Sequence, residues 1–443
     1  MTLGRRFIKV WGGALLSGAA LLWVPATAGA FLGDCSQPIT NGAGPKATDC
    51  LRILQVGVGS ATCVPECICE PKGSAPATAT DALLCLQKAV GQAVSLTCPC
   101  TVSTTTTSTS TTTSSSTTST TAGFADSQLI ILTKSGSSYA QADLAGAWDL
   151  QMLVSGPGAP WWSRGRVTIA ANGAASGSLD NSDGTPDPLS VTLILSPSGV
   201  ITCQGTDCPN SFQAALDSGR SVAGATFTDT DGSSGLIVLT KNIGRYNQIE
   251  LAGTWDFNAL ESGPAAPWFG YGPLTIQANG AFSGNISDSD GGVTAASGML
   301  ELSGIGALTC SGSACLSQFA GTLDAGKTIG ASTGTDTADA SSEMDLIVKR
   351  AASYSQTDVA GTWRLNDIVS GFQAPFWERG PLTIQADGTV SAGSLVDNTG
   401  HTEDITGVVF SLAPDGVITS PTDPGLRCAL DADKTVAVCT STF

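Results

Sequence analysis

The chain has 443 residues, a net charge of −17 and a single histidine. The acidic balance excludes nucleic acid as an expected partner, because a phosphate backbone is held by basic residues. His401 has no serine or cysteine nucleophile signature around it, which argues against a catalytic triad. With 53 glycines and only 13% charged residues, the composition is typical of extracellular β structure with many tight turns.

Residues 1–30 have the pattern of a secretory signal peptide. Arg5, Arg6 and Lys9 are basic, residues 10–24 are largely apolar, and small residues offer a cleavage site before residue 31. The apolar run is short for a membrane span, so we expect its removal and no transmembrane segment in the mature chain. The sequence therefore predicts a protein that is secreted, periplasmic or held at the cell surface. Outside the reducing cytosol, its 14 cysteines are expected to form disulfides.

The segment 31–100 is rich in cysteine and contains a short internal repeat. Residues 47–59 resemble residues 79–91, and leucines at three- and four-residue spacing predict one short helix in each half. Thr48 and Thr80 are the expected N-caps.

This duplicated loop–helix pattern over residues 35–100 resembles a dockerin domain, whose paired loops bind calcium and dock onto a cohesin. The resemblance implies a cohesin-like partner protein and calcium as the candidate cofactor. Glu70 and Asp81 occupy ligand positions of the second loop, but Lys72 also stands at one, and a lysine opposes a hard dication. We therefore expect disulfides to replace the metal's structural role, with Asp81 supporting the first turn of its helix.

Residues 101–123 are almost wholly threonine and serine. Such a segment cannot bury a core, so it is predicted to be a linker suited to O-glycosylation.

Residues 124–443 contain one pattern three times. The copies are assigned to segments 124–228, 229–337 and 338–443. Each carries a Gly-x-Trp motif, at Trp148, Trp255 and Trp363. A repeat of roughly one hundred residues indicates a folding unit copied in tandem.

Each copy is predicted to be an antiparallel β meander of about eight short strands, because period-two alternation is punctuated by Asn-Gly and Asp-Gly turns. The fold class is therefore mainly β. Two architectures remain open: three barrels in a row, or one six-bladed propeller closed by its own N-terminal strands. Strands that are apolar on one face favour barrels. The strand 129–134 matches 236–241, yet the chain stops just before the next occurrence is due, so closure between the two termini is one option.

The Gly-x-Trp opening followed by one long loop is similar to the first strand of a lipocalin-type or avidin-type barrel. The resemblance implies a barrel for each copy.

Pairs of aromatic residues in the first long loop of each copy are the candidate ligand-binding residues. They are Trp161, Trp162, Trp268, Phe269, Phe376 and Trp377. Exposed rings on loops suit stacking on sugar faces, and three copies would add avidity. The alternative is that one ring of each pair plugs the end of its barrel.

Paired aspartates in the turns, such as Asp180/Asp183 and Asp288/Asp290, could bind calcium or act as a glycosidase acid and base. Turn chemistry explains them more simply, and Thr399 replaces the second aspartate in the third copy. Disulfides are expected within three pairs of cysteines. These pairs are Cys203 with Cys208, Cys310 with Cys315 and Cys428 with Cys439.

The sequence predicts a non-catalytic extracellular interaction or adhesion protein that binds a glycan or another surface ligand, with no catalytic residues assigned. The alternatives are a secreted carbohydrate-active hydrolase and a purely structural surface or matrix protein. Catalysis should show unrepeated buried carboxylates in one cleft, whereas binding modules should repeat one exposed feature three times.

Overall fold

The structure is a computed structural model. It describes residues 50, 53, 54, 56, 78–89, 94, 96, 126–156, 160–262, 268–337, 341–371 and 375–442. The predicted signal peptide, the predicted linker, Glu70 and most of the N-terminal cysteines lie outside these residues. The chain divides into two units, Met1–Thr117 and Thr118–Phe443. Within the described part, no helix is long and apolar enough to cross a bilayer.

The described part of the first unit centres on helix α1, Ala79–Ala89. Thr78 precedes the helix, and its N–H donates to Asp81 Oδ2 at 2.9 Å. The helix thus begins before Thr80, which was the expected cap, because Asp81 reaches back to the residue outside the first turn. A disulfide joins Cys50 to Cys85 and brings Ile53 against the buried face of α1.

The second unit is almost entirely β, as the sequence predicts, and its first two modules are closed eight-stranded barrels. Barrel 1 consists of β2 (Gly146–Ser155), β3 (Trp161–Ile169), β4 (Ala174–Asn181), β5 (Pro186–Leu195), β6 (Val200–Gln204), β7 (Asn210–Leu216), β8 (Val222–Thr228) and β9 (Ser234–Asn242). Barrel 2 consists of β10 (Gly253–Ser262), β11 (Trp268–Ile276), β12 (Ala281–Asp288), β13 (Val293–Leu302), β14 (Ala307–Ser311), β15 (Ser317–Leu323), β16 (Ile329–Asp336) and β17 (Ser341–Lys349). Barrels, not a propeller, are therefore the architecture.

The third module is an open sheet of nine strands, which we call the third sheet. Its own strands are β18 (Gly361–Ser370), β19 (Glu378–Ile384), β20 (Val390–Asp397), β21 (Thr402–Asp404), β22 (Ser411–Leu412), β23 (Val417–Thr419), β24 (Arg427–Leu430) and β25 (Val436–Thr442). The ninth strand, β1 (Ser127–Lys134), comes from the start of the array and lies between β18 and β25. The free edges are β21 and β22, and a bridge between Thr389 and Val409 brings the two halves together.

The Gly-x-Trp motif closes one end of each module in the same way. A 3₁₀ turn, Gln141–Leu144 in barrel 1, precedes the motif, and Trp148 Nε1 donates to Leu144 O at 2.7 Å. The equivalent bonds from Trp255 and Trp363 are also 2.7 Å long. Gly146 has a φ of 128°, a conformation that favours glycine, so the motif needs this residue to turn into β2.

A second hydrophobic core lies between the three modules, and we call it the central core. It contains Leu153 of barrel 1, Leu260 of barrel 2 and Ile368 of the third sheet, all fully buried. Strands next to this core, such as β1, β9 and β17, therefore bury both faces, whereas strands farther away, such as β4 and β5, leave one face exposed.

Three repeated serines mark the centre of this arrangement. Ser155 donates to Ser370, Ser370 to Ser262, and Ser262 to Ser155, over 2.9–3.1 Å. Equivalent residues of the three modules therefore meet at one point.

Candidate functional site

The second ring of each aromatic pair lies in an interface between modules. Trp162 Nε1 of barrel 1 donates to Thr335 Oγ1 of barrel 2, and Trp377 Nε1 donates to Thr228 Oγ1 of barrel 1, both at 2.9 Å. Phe269 belongs to the central core. These three rings are 2–3% exposed, so they serve packing between modules in this structure.

The first ring of each pair has different neighbours in each module. Trp161 packs against the core of barrel 1, whereas Trp268 lines a cavity inside barrel 2. Phe376 is half-buried and bridges to Val369 in the third sheet. Of the six candidates, Trp268 is thus the one placed at a cavity.

The cavity of barrel 2 has a volume of about 680 Å³. Four aromatic side chains form much of its wall. They are Phe257, Trp268, Phe282 and Phe319. The Cys310–Cys315 disulfide and the adjoining Leu316 lie at one end, so the cross-linked loop forms part of the enclosure.

The interiors of barrels 1 and 2 differ in residue size at several aligned positions, and barrel 2 has the smaller residue at three of them. The strand registers align Phe227 with Gly334 and Met152 with Ala259. They also align Leu189 with Ala296. In barrel 1 these larger side chains contribute to the interior core. Of the three smaller residues of barrel 2, Ala296 lines the cavity, whereas the side chain of Leu316 occupies the space beside Gly334.

Acidic residues replace apolar residues in the same interior. Glu343 stands where barrel 1 has Gly235, Asp345 where it has Ile237, and Glu261 where it has Val154. Glu343 and Asp345 are two residues apart on β17 and therefore point to the same side of the strand. Both line the cavity, together with Asp288 and Asp336.

The Glu343 and Asp345 carboxyls are hydrogen-bonded to each other. Burial, the charge of Asp345 and the hydrogen bond to it raise the pKa of Glu343 well above its ordinary value, and Glu261 and Asp336 add to this effect. Burial raises the pKa of Asp345 to about 6, although hydrogen bonds from Glu343 and Ser332 oppose the shift. Both shifts have the direction expected of two buried carboxyls that share a proton across their hydrogen bond.

One oxygen of the buried Asp345 carboxyl lacks a hydrogen bond from an N–H or a hydroxyl among the described residues. Ser332 Oγ donates to Asp345 Oδ2 at 3.2 Å, but Oδ1 accepts no hydrogen bond from an N–H or a hydroxyl in the described part of the chain. A buried carboxylate oxygen without such a donor is costly, because it has lost its water.

The third sheet contains a second buried acidic pair with a different arrangement. Gln128 Nε2 donates to Asp367 Oδ2 at 2.7 Å, and the N–H of Glu378 donates to Oδ1 at 2.6 Å. Burial raises the pKa of Glu378 to about 7, with contributions from Glu403 and Asp397 that His401 opposes. Both oxygens of Asp367 are thus satisfied, and we regard the pair as structural.

The remaining residues singled out from the sequence are in turns, caps and disulfides. Asp183 accepts the N–H of Thr185, and Asp288 Oδ1 accepts the N–H of Asp290 and Gly292, as expected of turn chemistry. Asp288 also lines the cavity. Asp81 caps α1, and no cluster of three or more metal-ligating residues is present among the described residues. Disulfides join the three cysteine pairs of the repeats.

The sequence did not single out Glu343 and Asp345 as site residues, because their alternation with apolar residues on β17 is the ordinary pattern of a strand with one exposed face. Comparing the copies would have found them, since Glu343 and Asp345 replace Gly235 and Ile237 of a repeat that is otherwise alike.

No family model matches the chain, and no curated protein matches it. Among solved structures, it is similar to a DUF3598-family protein of unknown function from Nostoc punctiforme, with 9% identity, a TM-score of 0.16, and 69% of this chain and 99% of that chain covered. It is also similar to kievitone hydratase from Nectria haematococca, with 7% identity, a TM-score of 0.19, and coverages of 56% and 96%. Transferrin binding protein B from Haemophilus parasuis matches at 8% identity and a TM-score of 0.16, with coverages of 67% and 74%. Similarity this low identifies neither a family nor an activity.

Proposed function

We propose that the protein is an exported, non-catalytic binding protein that takes one small molecule into the cavity of barrel 2. The observation that carries the proposal is the open interior of barrel 2, compared with the filled interior of barrel 1. Its volume of about 680 Å³ falls in the range of small-molecule sites, and aromatic walls with a few polar groups are typical of them. The disulfides and the signal-peptide pattern support export.

Binding of the neutral fluorophore N-phenyl-1-naphthylamine tests this proposal. We expect its emission to rise on binding to one site per chain, because the cavity excludes water. Ala296→Leu restores the bulk that barrel 1 has at this position and should weaken binding at least tenfold, about 1.4 kcal/mol.

The matched control is Ser297→Leu, which adds the same side chain at the next, exposed position of β13. It should leave the affinity unchanged. Equal binding by the wild type and Ala296→Leu, with both variants folded, would place the fluorophore elsewhere and contradict the proposal.

A secreted hydrolase is the second candidate, and the Glu343–Asp345 pair favours it. A protonated and an ionised carboxyl in one cavity can act as acid and base, and this pair is unrepeated. The test is product release from aryl glycosides and peptides by the wild type. Turnover that is lost in Asp345→Asn would put the hydrolase ahead of the binding protein.

Glycan binding by the loop aromatics has limited support, because Trp162, Phe269 and Trp377 are buried. Trp268 could stack on a sugar only from the cavity side. Binding to a glycan array that is lost in Trp268→Ala and kept in Trp161→Ala would support a sugar as the ligand of barrel 2.

A role for the N-terminal module in docking a cohesin-like protein remains a separate proposal. Two large apolar side chains on α1, Leu83 and Leu86, are 54% and 42% exposed, and such residues suit a protein contact. Loss of binding to a cohesin in Leu83→Ser would support it.

A further inference from the structure

Four carboxyl groups line the cavity of barrel 2, and none of its described lining residues is basic. Asp345 and Glu343 lie in its wall, and Asp288 and Asp336 also line it. The aromatic side chains around them offer flat apolar contact. The cavity therefore combines negative charge with aromatic faces.

The hydrogen bonds of Asp345 indicate which chemical group a ligand would supply. Its side chain is buried in the cavity wall and is hydrogen-bonded to Glu343, but Oδ1 accepts no N–H or hydroxyl hydrogen bond in the described part of the chain. An ammonium group supplies such donors together with a compensating charge. A neutral alcohol would supply a hydrogen bond but leave the charge of the pair uncompensated.

We infer that the cavity of barrel 2 selects an organic cation, a primary amine attached to an aromatic or similarly flat apolar body. The ammonium binds at Asp345 and Glu343, and the apolar body lies along Trp268 and the neighbouring phenylalanines. A cation near an aromatic face gains further electrostatic attraction. This inference rests on the proposed function, because it names the ligand class of the same cavity.

Three ligands that share an indole ring test the inference by calorimetry. Tryptamine carries an ammonium, tryptophol is its neutral alcohol counterpart, and indole-3-acetate is an anion. We expect tryptamine to bind at least tenfold more tightly than tryptophol, and indole-3-acetate to bind weakest. Equal affinities for tryptamine and tryptophol would overturn the inference.

The net charge of −17 could attract any cation to the protein surface. The measurement is therefore repeated in about 1 M sodium chloride, where the screening length is about 3 Å. Attraction to the surface should disappear there, whereas a pair inside the cavity should retain most of its affinity. Loss of the amine preference in salt would also overturn the inference.

The decisive variant is the double substitution Glu343→Gln/Asp345→Asn. Each single variant leaves one carboxyl able to ionise, while the double variant keeps the shape of the pair without its charge. It should reduce tryptamine binding at least tenfold and leave tryptophol binding unchanged. Asp290→Asn, at an exposed turn of the same barrel, is the control for general electrostatic effects.

The outcomes separate this inference from the proposed function. If the double variant binds tryptamine as the wild type does, the cation is held elsewhere and the inference is wrong. If the naphthylamine fluorophore binds in the cavity but none of the three indoles does, the cavity is a binding site without the preference inferred here. If Ala296→Leu affects none of these ligands, the proposed function fails as well.

Discussion

A change at two facing positions distinguishes the interior of barrel 2 from that of barrel 1. In barrel 1, Phe227 faces Gly235 across β8 and β9, and a Cβ on Gly235 would lie 2.1 Å from the Phe227 ring. In barrel 2 the same pair is Gly334 and Glu343. The large ring is lost from one strand and a carboxyl is added on the other, and the side chain of Leu316 occupies the space beside Gly334.

Glu343→Gln tests the electrostatic cost of this arrangement. The pKa of Glu343 in the folded protein is well above its ordinary value, so the folded state binds a proton that the unfolded state releases above about pH 4.3. The wild type should therefore lose stability as the pH rises from about 4.3 towards the folded pKa. Glutamine has no proton to lose and can still donate to Asp345. We expect the variant to be more stable at pH 7 by about 1 kcal/mol, the usual scale of a single substitution.

Urea unfolding at several pH values measures this difference, which should vanish below about pH 4. Asp290→Asn, at an exposed turn, should show no comparable gain. A variant that is less stable than the wild type at pH 7 would mean that Glu343 is ionised and stabilised in the folded state.

At the scale of elements, segment 338–443 does not contain all the strands of the third sheet, and β1 from the start of the array supplies the missing one. Ser127 pairs with Thr442 of β25 and also with Ser370 of β18. Barrel 1 has the same antiparallel pairing between β8 and β9, but there a short turn joins the two strands. The array is thus circularly permuted relative to its modules, because the third sheet is completed by β1 and the break in the chain lies between β25 and β1.

Moving β1 to the other terminus tests this permutation. A chain that starts at residue 135 and continues from Thr442 through a copy of turn 229–233 into residues 127–134 should fold, because the turn joins strand ends that already face each other. Its melting temperature should lie within a few degrees of the parent array.

The control is the same truncated chain without β1 at either end. It leaves β18 and β25 with unpaired edges next to the central core, so it should aggregate or lose the cooperative unfolding of the array. A truncated chain as stable as the parent would show that β1 adds nothing to the third sheet.

At the scale of the whole molecule, the three modules depend on one another through their outer faces. Leu153, Leu236 and Val238 of barrel 1 are fully buried, although they point away from its interior. The second ring of each aromatic pair and the serine ring belong to contacts between modules.

We therefore expect an isolated barrel 1, residues 135–245, to be closed but unable to stay monomeric. It retains β2–β9 and exposes the apolar face that the central core buries. Sedimentation velocity should show trimers or larger species at micromolar concentration. Trp162→Ser with Leu153→Ser should shift the fragment towards the monomer.

A monomeric wild-type fragment, as stable as the whole array, would show that the central core contributes little. A fragment cut as the sequence segments suggest, 124–228, is a useful comparison. It contains β1, which pairs in the third sheet, and lacks β9, which closes barrel 1, so it should not fold.

The sequence by itself determined the mainly β fold, the threefold repetition and the paired cysteines of the repeats. These features are local: alternation with a period of two, turn residues such as Asn-Gly and the Gly-x-Trp motif depend on neighbours in the chain. The barrel architecture was also favoured, because the strand patterns are apolar mainly on one face.

Only the tertiary structure decided which residues face the interior of a barrel and which face another module. Trp161 and Trp162 are adjacent and chemically alike, yet one packs inside barrel 1 and the other bonds to barrel 2. Asp345 faces Ala259 through the register of β17 with β10, a strand that is distant in the chain. Burial and pairing across sheets are properties of the closed barrel, so the candidate site became visible only when the strands were placed side by side.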